Sequence, residues 1–478
     1  MKKLLLAVLV VALVAMPAFA SVQNVKVSGS INSTYLNRDQ FDFGSTAGQV
    51  GWEQSLLLTQ STLRVDADLT DNVSTTVKLL NERVWGESDV SSPDDANDID
   101  INLAYATMRE MLYSPLTVVI GRQELFYGNG LVIGNGTNNV TGQGGLNGVA
   151  EDLAMNTAFD AVKLILNYDP LTIDVVASKV DSNVSLGAGE IKDDVNLFGT
   201  NANYKLGDSK NTEVEAYFWT RVDNSTAAAA AGSKADTVYN PGLRASTNPI
   251  KGLNVQGEVA WQRGNKAETV AGGVRDNQQR EAMAAQVIAS YAVSHDSVAK
   301  WNPVLSSWFT YLSGDNDGMT ASLNPSTKET YTAWDPMFEG QAGGTIYNTL
   351  FDYSNVRLVG GSLQVNPMQD VTLKGTVTGL WLDKDLDQIS TGDGNGSAAS
   401  VLRQPDGTFS TLNVTSNRHL GNEFDVALMY DYTEDVQLGL NAGWFFPGAV
   451  FVNAYGHNGL DDNHQMASQL IANVNVNF

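Results

Sequence analysis

The sequence predicts an all-β protein: a transmembrane, antiparallel, up-and-down β-barrel of about 18 strands, with short periplasmic turns and long extracellular loops. Three observations predict it. Apolar and polar residues alternate with period two in many separate segments; these segments run about 10 to 14 residues; and short and long connections alternate strictly between them. Alternation puts successive side chains on opposite faces of a sheet, one greasy and one wet. Strands of soluble sheets usually hold about 5 or 6 residues, whereas a tilted strand of about 9 to 11 crosses a bilayer.

The elements follow in chain order. Lys2 and Lys3 precede an apolar run from Leu4 to Met16, then Pro17 and Ala18-Phe19-Ala20. That pattern is a secretory signal peptide cleaved after Ala20, which leaves 21–478 as the barrel domain. The apolar run is shorter than the ~20 residues of a membrane-spanning helix, and no later run approaches that length. In Leu63-Arg64-Val65-Asp66-Ala67-Asp68-Leu69 every odd residue is apolar and every even one charged. Leu253, Val255, Val259 and Trp261 alternate with Asn254, Gln256, Glu258 and Gln262; Val371, Leu373, Val377 and Trp381 with Thr372, Lys374, Thr376 and Thr378; Phe424, Val426 and Leu428 with Glu423 and Asp425.

Short turns are expected at 70–72, 113–116, 168–171, 207–211, 248–252, 294–302, 366–370 and 433–435. Long polar loops are expected at 37–50, 86–99, 125–156, 181–192, 223–235, 264–278, 313–352, 383–419 and 447–464. Eight turns and nine loops imply 18 strands, and an even number with this asymmetry is the outer-membrane pattern. The turns YSPL, YDPL, NPIK and NPMQ carry Pro where it presets φ. The last segment, Leu470 to Phe478, has apolar even residues and Asn at 473, 475 and 477. A final strand closing on an aromatic resembles the signal read by the barrel-assembly machinery, which makes Phe478 its expected handle.

Composition narrows the function. No cysteine is present, so disulfides, thiol nucleophiles and thiolate metal sites are excluded. Lys+Arg 29 against Asp+Glu 53 gives a net charge of -24, the wrong sign for nucleic acid. Membrane lipid and lipopolysaccharide are the expected surroundings of a barrel in the bacterial outer membrane.

If the apolar faces meet lipid, the polar faces line a lumen, because a membrane barrel must close to satisfy its backbone. Candidate lumen residues are Arg64, Asp66, Asp68, Lys78, Glu82, Asp100, Lys163, Glu213, Glu215, Arg221, Glu258, Lys374 and Asp425. Rings or ladders of like charge among them would set selectivity. Enzyme chemistry is not expected: the four histidines, His295, His419, His457 and His464, fall in turns and loops, and no GxSxG elbow is present. No cofactor is expected either. Asp315-Asn316-Asp317-Gly318 and Asp393-Gly394-Asn395-Gly396 have the oxygen density of calcium loops, with Asp315 and Asp317 as candidate ligands, but lack the downstream bidentate Glu. The glycine-rich stretch from Gly121 to Gly136 lacks the spacing and the Lys-Ser or Lys-Thr of a phosphate loop.

Several motifs in order resemble the alginate export family of outer-membrane porins. They are Glu82-Arg83-Val84-Trp85-Gly86, Ala104-Tyr105, Gly121-Arg122-Gln123 with Tyr127-Gly128-Asn129-Gly130, and Phe159-Asp160-Ala161-Val162. Farther on come Ser313-Gly314-Asp315, Ala333-Trp334-Asp335-Pro336, Gly421-Asn422-Glu423-Phe424-Asp425 and Phe446-Pro447-Gly448. The resemblance implies a monomeric barrel that passes an anionic polysaccharide outward, its lumen cations binding carboxylates. Arg83 and Arg122 match motif positions; Arg64, Arg109 and Lys163 neighbour them in the strand reading, and Arg221 and Lys374 complete the candidate set. Asp160, Asp315 and Asp335 are motif residues expected in loops. The glycines after Tyr127 permit positive φ, so the loop after the fifth strand is expected to fold closely on itself or into the mouth, where it would narrow the pore. Two functional classes stay open: a channel for an oligosaccharide, polysaccharide or small solute, and a structural or surface-interaction barrel plugged by its loops.

Overall fold

The computed structural model describes residues 24–43, 52–86, 99–135, 146, 149–182, 194–224, 235–267, 277–315, 330–341, 344–385, 389–390, 397–403, 409–413, 417–451 and 465–478. The expected signal peptide lies outside them. The first half of the wall is β1 (Asn24–Asp39), β2 (Gln54–Thr70), β3 (Val73–Val84), β4 (Asp100–Met108), β5 (Leu116–Gln123), β6 (Phe159–Asn167), β7 (Leu171–Asp181), β8 (Val195–Lys205) and β9 (Glu213–Asp223). The second half begins with β10 (Asp236–Ile250), β11 (Leu253–Ala267), β12 (Asn277–Ala292) and β13 (Val304–Leu312). After a two-residue loop strand, β14 (Thr330–Tyr331), come β15 (Val356–Met368) and β16 (Val371–Leu382). A small loop sheet, β17 (Ile389–Ser390), β18 (Ser397–Arg403) and β19 (Phe409–Asn413), precedes β20 (His419–Asp431), β21 (Val436–Pro447) and β22 (Ala467–Asn477).

Each wall strand pairs antiparallel with its chain neighbours, and β1 pairs with both β2 and β22, so the sheet closes on itself. The closed ring holds 18 strands; β14 only leans on β12, in parallel. Closure leaves no edge strand and hydrogen-bonds the backbone within the wall, as a bilayer requires. At the seam, Gly29 N donates to Phe478 O at 2.8 Å and Phe478 N returns a bond to Gly29 O at 3.0 Å. A Cβ on Gly29 would stand 2.6 Å from the Phe478 ring, so the aromatic covers a residue that must be glycine-sized.

The period-two pattern separates the two faces as expected. Val27, Leu63, Val77, Val287, Leu363 and Val377 are exposed on the outside, where lipid would cover them. Gln60, Thr62, Thr76, Glu215, Gln286 and Thr376 face inward and are buried. They are buried because loops fill the mouth: Phe41, Phe43, Leu125, Leu131, Ile133, Trp334, Phe338, Tyr347 and Leu350 form one apolar cluster with inward strand residues such as Trp219 and Leu380. The core of this protein therefore sits inside the ring, made of loop residues packed against its inner wall.

Candidate functional site in the lumen

Two loops build the interior. The third long loop leaves β5 and turns at Gly128 and Gly130, whose φ values of 57° and 73° lie in the left-handed region that glycine tolerates best. Gly130 N bonds Tyr127 O at 3.0 Å and Tyr127 N bonds Ile133 O at 3.1 Å, which closes the turn. The seventh loop, between β13 and β15, crosses it. Gly134 N donates to Phe338 O at 2.7 Å, Phe338 N to Val132 O at 3.1 Å, and Gly340 N to Gly130 O at 2.8 Å. A Cβ on Gly340 would meet Asn135 N at 2.6 Å, and one on Gly134 would meet Gly340 Cα at 2.9 Å. The glycine-rich stretch is thus a crossing point of two backbones, and the expected narrowing by the loop after the fifth strand is what the structure contains.

Charged side chains on the wall hold these loops. Asp335 accepts two bonds from Arg221, at 2.8 and 2.7 Å, and lies 3.4 Å from Arg280. Asp236 receives Arg280 at 2.9 Å and Lys266 at 3.4 Å. The Gln262 amide closes the clamp on the Asp335 main chain, donating to its O at 2.7 Å and accepting from its N at 2.8 Å. Burial by itself would raise the Asp335 pKa, but the positive charges of Arg221, Arg280 and Lys266 outweigh it and hold the carboxyl below the ordinary range. On another sector Glu423 accepts Thr345 N at 2.6 Å, Ile346 N at 2.9 Å and Tyr347 N at 2.7 Å, satisfying the start of the helical turn Tyr347–Leu350. Elsewhere Arg244 pairs with Glu215 and reaches Asn129 at 3.3 Å, while Arg38 pairs with Asp152 and Gln469. Glu82 accepts Gln60 Nε2 at 2.7 Å and Met155 N at 2.8 Å.

Space remains beside the crossing. One cavity of about 370 Å³ is bounded by Asp152, Glu339, Thr345, Asn441 and Gln469. Another of about 490 Å³ lies against β12, β13, β15 and β16 and is bounded by Phe126, Gln286, Trp308, Gln364 and Lys374. Both share Gly340, Gln341 and Tyr353. Gln341 exchanges bonds with Gln286 at 2.7 and 2.9 Å and accepts Tyr353 OH at 3.0 Å, so it stands as a polar partition between them. At the head of the partition, burial raises the Glu339 carboxyl to about 7, against the lowering effect of the 2.7 Å bond from Gln341 N.

The residues singled out from sequence distribute unevenly. Arg64, Lys163, Arg221 and Lys374 share inward faces with buried neighbours: Arg64 with Gln60 and Thr62, Lys163 opposite Val176, Arg221 with Trp219, Lys374 with Thr376. Arg64 is neutralised locally by Asp66, at 2.8 and 3.0 Å. Arg83 and Arg122 lie elsewhere than expected. Arg83 is exposed and stands opposite Thr59, on the outward side, because its neighbour Glu82 takes the inward position. Arg122 shares the outward face of Ile120 and Val162, where it pairs with Asp160 at 3.3 Å and bonds Asn156 at 2.8 Å. Asp160 is consequently a strand residue on the outer rim rather than a loop residue. Arg109 is exposed in a short turn, its N bonding Asn72 O at 2.8 Å.

Asp315 Oδ2 accepts Thr332 N at 2.6 Å, a loop-closing contact. Asp317 and 393–396 lie outside the described residues, and among the described residues no three acidic or histidine side chains gather as metal ligands. His295 stands in a short turn, as expected; His419, expected in the eighth loop, is instead the first residue of β20, and His457 and His464 lie outside the described residues. Sequence reasoning passed over Arg38, Arg244, Arg280 and Trp308. Parity would have found Arg244, Arg280 and Trp308, since each shares an inward face with a polar residue two positions away, whereas Arg38 falls within the expected first loop and its strand neighbour on that face is Leu36.

The sequence profile of the family described as alginate export matches residues 24–462. No curated protein matches the chain. Among solved structures, OpdQ of Pseudomonas aeruginosa is similar with TM-score 0.51 and 12% identity, over 96% of this chain and 99% of that one. OccAB1 of Acinetobacter baumannii is similar with TM-score 0.54 and 11% identity, over 97% and 98%. The structure of Pseudomonas aeruginosa OpdK with vanillate gives 0.52 and 10%, over 96% and 100%. At these identities the likeness is one of fold.

Proposed function

Because this chain belongs to the alginate export family, and is an outer-membrane channel barrel, we propose that it passes small polar solutes of the saccharide class by diffusion through a loop-narrowed, charge-balanced lumen. The observation that carries this reading is the pairing of the inward arginines. Arg38, Arg64, Arg221, Arg244 and Arg280 each face a carboxylate within the wall or loops. A polyanion needs guanidinium forks that are open to it. Here the forks are occupied by carboxylates of the wall and the loops, so the lumen offers hydroxyls and amides more than net positive charge. Passage of this kind needs no cofactor and no catalytic step. Phe478, exposed at the seam, is the proposed handle for the assembly machinery.

The test is single-channel current in a planar bilayer under a KCl gradient, with short oligosaccharides or long uronate chains added. Steady conductance, weak ion selectivity and block by short oligosaccharides support the reading. Strong anion selectivity with preferential block by long uronate chains would replace it with polysaccharide export. A folded barrel without current would mean that the loops seal the lumen.

A further inference from the structure

The cavity of about 490 Å³ holds an arrangement that loop anchoring does not use. Trp219 and Trp334 are covered inside the ring, each 1% exposed, whereas Trp308 is half-buried and borders the cavity. Its indole occupies the space over Gly360 opposite, which has no side chain; a Cβ there would stand 2.2 Å from the ring. An apolar face left open in a polar lumen is a platform waiting for an apolar face of a solute.

Beside the platform runs a row of small polar groups across four strands. Ser290, Ser306, Ser362 and Thr376 are successive register partners across β12, β13, β15 and β16. Ser290 and Ser306 share a bond at 2.9 Å. One step nearer the short turns, Gln364 stands opposite Lys374. Among the described residues the side chains of Ser362, Gln364 and Lys374 make no hydrogen bond or ion pair with the protein. Lys374 is also a diagonal neighbour of Asp425, which lies opposite Thr376, so its charge is faced by a carboxylate.

We infer that this wall sector is a subsite for one pyranose ring of a neutral sugar, seated on Trp308 and hydrogen-bonded by the serine row and Gln364. A pyranose has an apolar C–H face and a polar rim, which is the complement of an aromatic face bordered by donors and acceptors. The inference deepens the channel reading and rests on it. It adds that recognition comes from ring shape and hydroxyls, with charge contributing little.

The test uses the full-length channel in a planar bilayer, with maltotriose or glucuronate added on either side. Maltotriose is expected to block, more effectively from the short-turn side. Trp308→Ala should lower its blocking association constant about tenfold, with conductance retained. Gly360→Ala should do the same by pushing the indole off the wall, and Phe309→Ala, on the lipid face of the same strand, should leave block unchanged. Block by glucuronate alone, or equal maltotriose block in native and Trp308→Ala channels, overturns the subsite while leaving the channel. Absence of current in the native protein overturns the channel reading itself.

Discussion

Glu339 shows how much one side chain can decide in a lumen. Its carboxyl is raised from the usual 4.5 to about 7, chiefly by burial, with Tyr347 and Tyr353 facing it. An acid whose seated-state pKa is raised binds its proton more tightly when the loop is docked. Docking is therefore favoured in full below about pH 4.5, and this contribution is lost as pH rises through about 7. We expect loop-opening events in single-channel records to become more frequent between about pH 5 and pH 8, and the step to vanish in Glu339→Gln. Residue parity was open to reading in the sequence: Glu82 and Arg83 are adjacent on a strand and cannot share a face, so naming both as lumen residues conflicts with the period-two rule. What alternation could not reveal is which inward arginines are occupied. That depends on carboxylates such as Asp335, 114 residues from Arg221 in the chain.

At the scale of elements, the seventh loop behaves as a strap buckled to the wall. Its buckle is Asp335 between Arg221 and Arg280, with the Gln262 amide holding the main chain. Removing one member of a buried ion pair costs about 3 to 5 kcal/mol, because the partner charges stay behind uncompensated. Asp335→Ala is thus expected to loosen the strap, giving a larger and noisier conductance than the native channel, measured in the same bilayer. Strand positions were legible from period and turn chemistry, since lipid on one side and water on the other leave few alternatives. The small strands inside loops, β14 and β17 to β19, were not, because their pairing answers to local loop contacts rather than to a two-faced environment.

For the whole molecule, the strand number followed from counting connections, and the closed ring agrees with it. Closure is completed at the seam by Gly29 and Phe478. Deleting Phe478 removes two backbone bonds and the aromatic cover over Gly29, and is expected to lower the yield of folded barrel, read as the heat-modifiable band on a gel, without changing the conductance of those barrels that do form. The crossing of the two loops has a wider consequence. It is held by main-chain bonds, by the lack of side chains at Gly134 and Gly340 and, from the wall, by the Gln286 amide on Gln341, so it asks nothing of Trp308, Gln364 or Lys374 around the 490 Å³ cavity. Descendants of this chain are free to exchange Trp308, Gln364 or Lys374 for other side chains and so acquire new cargo, while inheriting the same constriction unchanged.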